Sequence, residues 1–518
     1  MNIEIKVKIK YFFLLITGLL GGCKNFYLAS NIPDELPTHW AVSAPPLAKN
    51  ADSSLWVALE HYLGARQTGN DVSSSLQLKL FGESLILKDA NGFVHRASEI
   101  QLRWEKVPLA KPIKWQRQVV GPYASFESAE RVALLVRKFG LKAEVARPKD
   151  WQVWFSASGK SPRGIKAITE KGLIEKALLP RLVSNNKQQL LLGPIEIDAP
   201  KGMIWKGVVY KGPFRLQRDA YGSWTLIEKV PMQNYLEGVV PHEIGSGAPF
   251  AALTAQAVLA RTWALANSHR FVIDGFHLCS NTQCQVYRDS AKATTQVRKA
   301  IDASKGMVLS WQGKPINAFY HASNGGVMAS AEEAWSMKPL PYLKAKLDSS
   351  SSSSTRFSLP FKKKSSIKKF LKFRTGSFGA DHPRFRWERK INTNQLSESL
   401  VKVLSGIYFP QDINVLERGK SGRVLALELV FKSNRNPLIL RLDEIRRYLP
   451  QLPSTLFVIE KIDKGVWTFS GGGFGHGVGL SQAGAMDLAR RAWSIEQIFR
   501  HYYPGATYGF WPVNHNPP

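Results

Sequence analysis

Apolar and polar residues alternate through "LQLKLFGESLILKD", and a period of two predicts short strands and turns over about 70–105. From Trp115 to Phe155 the pattern changes. It reads as a strand, a Gly-Pro turn and a helix opening near Ser125, with Val132, Leu135, Val136 and Phe139 on one face and Gly140 at the C-terminal end. A second strand and then "WQVWF" complete a strand–helix–strand–strand unit. Alternation returns between 190 and 232, broken by turns at "APKGM", "YKGPF" and "DAYGSW". "NYLEGVV" reads as a helix. "PFAALTAQAVLARTWALANSHR" has Pro249 in its first turn and small apolar residues throughout, which predicts a buried helix over about 249–268. Strands with a "GK" turn follow, then a loop around Asn324-Gly325-Gly326, more strands and helices from 384, and a closing helix in "WSIEQIFRHYYPGA". The pattern predicts a mixed α/β (α+β) fold with strands packed around a buried, alanine-rich helix.

Two stretches depart from this periodicity. Residues 24–69 begin rich in Pro, Ala and Ser and read as a linker. At 349–374 six serines precede the basic "FKKKSSIKKFLKFR", which predicts a flexible surface insertion with a solvated basic face. Lysine and arginine outnumber aspartate and glutamate by 70 to 40, a net charge of +30 that favours polyanionic partners. With no zinc-finger spacing, no RNP1-type motif and only scattered aromatics, nucleic acid is not the expected partner. "MNIEIKVKIK" followed by "YFFLLITGLL" has the charged-then-apolar plan of a secretory signal, so export to the periplasm or cell envelope is expected. Leu20-Gly21-Gly22-Cys23 resembles a lipobox, which would acylate Cys23 and anchor the chain to a membrane. The alternative is an ordinary signal peptide with an incidental cysteine.

Cys279 and Cys284, five apart, could form a local disulfide in an oxidising compartment. With His277 they could instead make part of a structural zinc site, which would need a fourth ligand from elsewhere. Glu243 lies between the "NYLEGVV" helix and the alanine-rich one. Its neighbours Val239, Val240, Pro241 and Ile244 would raise its pKa and keep it a protonated acid; the alternative is a helix-capping carboxylate. Glu237 is read as exposed. In "GGGFGHGVGLSQAGAMDLAR" (471–490) the glycines permit a tight loop that presents His476, Ser481 and Gln482 to a groove. The loop lacks the Lys-Ser/Thr of a nucleotide-binding loop. Tyr320 and Ser323 in "FYHASNGG" would complete the groove, with His321 pointing opposite to Tyr320.

Gln118 to Ser125 and Trp151 to Phe155 resemble a SPOR-type repeat, which places a small α+β module at 113–158 after a strand-rich segment at 70–112. That resemblance implies binding to peptidoglycan glycan strands. "YLEGVVPHEI", "ALTAQAVLARTWAL", "CSNTQCQVY" with "AFYHASNGG", and "FSGGGFGHGVGLSQAGAMDLA" together resemble the SpoIID/LytB family over a domain at 190–510. The resemblance implies a lytic transglycosylase acting on glycan strands stripped of stem peptides, or a non-catalytic enhancer of a cell-wall amidase. It places the catalytic glutamate at Glu243, beside the groove in which Tyr320, Ser323, His476, Ser481 and Gln482 are read as substrate contacts. The transglycosylase mechanism needs one carboxyl group serving as acid and then base, because the substrate's own 6-hydroxyl is the nucleophile. No cofactor is required, and any zinc would be structural. The family often has a histidine just before the second cysteine, where this chain has Gln283, which weakens the metal reading.

Overall fold

The computed structural model describes residues 37–511, apart from 65–74, 82–83, 159–160, 185–186, 289, 351–355, 403, 405, 407 and 432–435. The N-terminal signal-like run and Cys23 lie outside the described residues, as do four of the six serines at 349–354. Among the described residues no helix is long and apolar enough to cross a membrane. The fold is mixed α+β, as the periodicity predicts. Its described helices are α1 (Phe126–Lys138), α2 (Met232–Glu243), α3 (Phe250–Ala266), α4 (Thr295–Ala303), α5 (Lys364–Leu371), α6 (Thr393–Val401), α7 (Asp443–Tyr448), α8 (Gln482–Arg490) and α9 (Ile495–Tyr502).

Helix α3 is the centre. Ala255, Ala257, Val258, Leu259, Ala260 and Ala264 have no exposed surface, and α2, α4, α8, α9 and strand Met307–Trp311 pack around it. Alanine on successive faces lets several elements approach one helix at once. A seven-stranded sheet lies beside it, and its strand Leu55–Leu63 corrects the linker expected over 24–69. That strand pairs antiparallel with Trp224–Val230 and parallel with Leu278–Cys279, with Leu55, Val57 and Ala58 fully buried. Here the apolar run "LWVALEHYL" outweighs the polar composition before it.

A second sheet is built on strand Glu99–Tyr123, 25 residues long, which pairs with Ile168–Ser184 along most of its length. The boundary expected at 112/113 falls inside this strand, at an irregularity where the pairing with Ile168–Ser184 shifts register between Pro108 and Ile113. The strand, α1, Ala143–Ala146 and Trp151–Phe155 follow in the predicted order. The helix faces otherwise than expected. Phe126, Ala129, Ala133 and Val136 are buried, whereas Leu135 and Phe139 are 39% and 64% exposed. Trp151 and Phe271 fill the space beneath α1, their rings 5.2 Å apart, so small residues take the inner positions.

This unit is seated on the rest of the protein. Arg270 and Glu127 form a buried ion pair at 2.9 Å, and Trp151 Nε1 donates to Gln283 Oε1 at 3.1 Å. The segment 387–471 forms two three-stranded sheets over a separate core that includes Trp387, Leu427, Trp467 and Phe469. The described part of 349–374 is anchored more firmly than expected. Helix α5 turns Ile367 and Phe370 onto Phe361, Val327, Leu456 and Val458 and leaves Lys364, Lys368 and Lys369 exposed.

Candidate active site

Glu243 is the last residue of α2 rather than part of a loop between helices. Ile244 caps the helix, and Gly245, with φ of +86°, turns the chain away. The carboxyl is half-buried, and Oε1 accepts a hydrogen bond from the Val286 amide at 2.8 Å. Burial pushes its pKa above the usual carboxylate range, opposed by the Val286 N–H. The negative end of the α2 dipole works in the same direction as burial.

The Tyr320 proton has another destination. Gln285 Nε2 donates to Tyr235 Oη and to the Ala260 carbonyl, both at 3.2 Å, so its Oε1 is left to accept from Tyr320 Oη at 2.7 Å. Burial, and then the nearby Glu243, hold the Tyr320 phenol far above its ordinary pKa, so it keeps its proton. With that proton committed to Gln285, the hydroxyl oxygen faces Glu243 as an acceptor, which favours the protonated acid.

His476 has both ring nitrogens engaged by backbone. Nδ1 accepts from the Val478 amide at 3.1 Å, so the proton is on Nε2, which donates to the Tyr320 carbonyl at 2.9 Å. Burial, with Arg446 next in effect, lowers its pKa to about 3. It is a neutral strut under Tyr320 rather than a free acid, base or substrate ligand. The glycines serve the same packing. A Cβ on Gly477 would lie 2.1 Å from Arg423 Nη2, and one on Gly475 would lie 2.8 Å from the His321 Cβ. His321 is on the groove side, not opposite to it. Its Nδ1 donates to the Val478 carbonyl at 3.2 Å, and its buried Nε2 has no partner among the described residues. Burial and the neighbouring His476 keep it neutral.

The remaining expected contacts turn inward. Ser481 Oγ caps α8 by accepting from the Gly484 amide at 3.2 Å, and Gln482 Nε2 donates to Gln256 Oε1 at 3.1 Å. Ser323 is buried and pairs its backbone with Phe474. None of the three lines the cavity described below. Glu237 is partly covered and pairs with Arg298 at 3.4 Å. Cys279 and Cys284 are joined as a disulfide. His277 accepts from the Trp56 amide through Nδ1 at 3.1 Å, and Nε2 meets the Pro46 carbonyl at 3.0 Å. With both nitrogens engaged and Gln283 tied to Trp151, these residues do not fit a zinc tetrahedron. Thiol titration of denatured protein is expected to find two more thiols after reduction than before. Replacing both cysteines by serine is expected to cost about 2 kcal/mol in urea unfolding, as closure of a short loop predicts.

A cavity of about 450 Å³ gathers Glu243, Tyr320, His321 and His476, and adds residues the sequence pattern did not single out. Gln285 and Val286 come from the segment after the disulfide. Phe319 and Trp335 form an aromatic wall with rings 4.4 Å apart. Ser125 and Glu127 reach in from α1, and Asp443 and Arg446 from α7. The only sequence signal for this last pair was their place in a polar, charged stretch.

Asp443 accepts from the Ser128 hydroxyl at 3.2 Å, and burial raises its pKa to about 7. An unfolded aspartate titrates near 3.9, so between about pH 4 and 7 the folded state holds the extra proton. Its contribution to stability is therefore complete below about pH 4 and is lost as pH rises through about 7. Asp443→Asn is expected to flatten this part of the stability profile, as read by urea midpoints from pH 4 to 8.

The family described as "Stage II sporulation protein" matches residues 220–311, the stretch that carries Glu243, α3 and Gln285. A domain of unknown function, DUF8618, matches 329–479. Over these residues the chain is similar to the SpoIID family, and its curated relatives include an amidase enhancer and stage II sporulation proteins D. The Bacillus subtilis (strain 168) amidase enhancer is 28% identical over 296 residues, 52% of this chain and 40% of the enhancer. Stage II sporulation protein D of Bacillus amyloliquefaciens is 28% identical over 295 residues, 54% of this chain and 74% of the relative. An uncharacterized protein of Brachyspira hyodysenteriae is 28% identical over 320 residues, 60% of this chain and 75% of the relative. The SpoIID match covers Glu243 and the helix α2 that carries it. The DUF8618 segment supplies Trp335, Asp443, Arg446 and His476 to the same cavity.

Proposed function

We propose that this protein cleaves peptidoglycan glycan strands as a lytic transglycosylase. The observation that carries the reading is Glu243, a carboxyl whose pKa burial raises, in a groove-like cavity beside an aromatic wall. In the first step its proton goes to the glycosidic oxygen as the C1–O bond breaks. The muramic 6-hydroxyl then attacks C1, its proton returns to Glu243, and the 1,6-anhydro ring closes without consuming water. Phe319 and Trp335 offer a surface for a sugar face, and His321 Nε2 offers a free acceptor for a sugar hydroxyl. The chemistry uses no metal. The strand–helix–strand–strand unit at 113–158 would add glycan contacts, since Ser125 and Glu127 already reach the cavity. The leader would export the protein to the envelope, with Cys23 as a lipid anchor.

Similarity to the amidase enhancer favours a second reading, in which the groove binds glycan without cutting it and stimulates a cell-wall amidase. Incubation with strands freed of stem peptides, followed by mass spectrometry, separates the two. Anhydromuramic ends support cleavage. Intact bound strands, together with faster turnover by an added amidase, support enhancement.

A further inference from the structure

We infer that the outer face of α1 is a docking surface for an anionic lipid bilayer. The inference depends neither on the glycan reading nor on an acyl group at Cys23. Through its inner face α1 packs on Glu99–Tyr123, Ala143–Ala146 and Trp151–Phe155. The opposite face carries Arg131, Leu134, Leu135, Lys138 and Phe139, spaced i, i+3, i+4, i+7 and i+8 along one stripe, and Lys142 follows just past the helix end. All six are exposed, Leu134 by 51%, and nothing among the described residues covers them. The stripe contains no acid, and the carboxylates near it in sequence are engaged elsewhere. Glu127 pairs with Arg270, Glu130 with Arg137 and Glu144 with His39, which leaves Arg131, Lys138 and Lys142 outside any ion pair among the described residues.

Apolar and cationic side chains interleave along this stripe, so a fitting partner buries the first and meets the second with negative charge. A bilayer interface does both. Lysine and arginine stems reach the lipid phosphates, while leucine and phenylalanine enter the acyl boundary beneath. A soluble polyanion such as polyphosphate would meet the cations and leave Leu134, Leu135 and Phe139 in water. The basic face of α5 is the contrast. Its apolar side chains Ile367 and Phe370 are turned into the protein, so it offers charge alone. A single tether would leave the chain free to turn at the membrane. Contact along α1 fixes its orientation, and with it that of the cavity that Ser125 and Glu127 line at the other end of the helix.

The test uses the chain from residue 24 onward, which keeps every described residue and lacks both the apolar leader and Cys23. Sedimentation compares vesicles rich in phosphatidylglycerol with vesicles of phosphatidylcholine alone. The anionic vesicles are expected to bind at least about tenfold tighter, as three cations at a negative surface imply. Leu135→Ser with Phe139→Ser is expected to weaken that binding at least about tenfold, as the loss of two interfacial side chains implies. Arg131→Gln with Lys138→Gln is expected to bring the two kinds of vesicle within about threefold of each other, and serves if the serine variant does not fold. Lys368→Gln with Lys369→Gln, on α5, is expected to change binding by less than about twofold. Equal binding of both kinds of vesicle, or binding lost in the α5 variant and kept in the α1 variants, would overturn the assignment. Full retention by the serine variant would overturn it as well, because charge alone would then account for the contact. Binding to neither vesicle would remove this inference and leave the glycan reading intact.

Discussion

Replacing Glu243 by glutamine is expected to lower the rate of anhydromuramic-end formation by about a thousandfold, within the range general acid–base groups supply. Strand affinity should change little, because the amide keeps the size of the side chain and can still accept from the Val286 amide. Mass spectrometry of the products and calorimetry of binding separate the two effects. An unchanged rate would sink the assignment of the acid. The pH profile gives an independent check. As Glu243 must be protonated to act first, activity should fall as pH rises through its raised pKa. Stability follows the same sign. The folded pKa lies above the unfolded value of about 4.3, so the contribution of Glu243 is complete below that pH and is lost as pH rises through the folded pKa. The glutamine variant should therefore gain on the native protein in alkaline urea melts, which distinguishes lost chemistry from lost folding.

Asp348→Ala is expected to destabilise the protein by about 3–5 kcal/mol, as removal of one partner from a buried polar network does. Asp348 has no exposed surface. Its Oδ1 receives His501 Nε2 at 2.7 Å, and its Oδ2 receives Asn324 Nδ2 at 2.7 Å and Tyr502 Oη at 3.1 Å. Alanine would leave all three groups facing a void. Asn324 lies in the loop directly after Tyr320 and His321, and His501 and Tyr502 lie on α9, so the substitution loosens the floor of the site as well as the fold. Urea unfolding measures the loss. A cost below about 1 kcal/mol would mean that water replaces the carboxylate.

Local pattern reached a long way into this chain. The small apolar residues of "AALTAQAVLARTWAL" marked α3 as a helix and as buried before any packing was visible, and the structure differs from the expected 249–268 by only one or two residues at each end. The hydrophobic neighbours of Glu243 marked it as an acid with a raised pKa, since side chains two to four residues away in a helix help set its dielectric. Glycine density marked 471–479 as a close-packed loop. Pattern misled where composition spoke over periodicity, as at Leu55–Leu63. It also misled where one face of a helix could close on either small or large residues, as on α1.

Residue identity thus determined most of the elements, the apolar setting of Glu243 and the pairing partners available to the cysteines. Only the tertiary structure decided what the polar side chains face. His476, Ser481 and Gln482 read as ligands because nothing local shows that the Tyr320 carbonyl, the Gly484 amide and Gln256 already satisfy them. Arg446 and Asp443 were not singled out at all, because the cavity they line is closed by segments about 200 residues away. Hydrogen-bond satisfaction and counter-ion balance depend on contacts between distant segments, so they become legible only when the chain has folded.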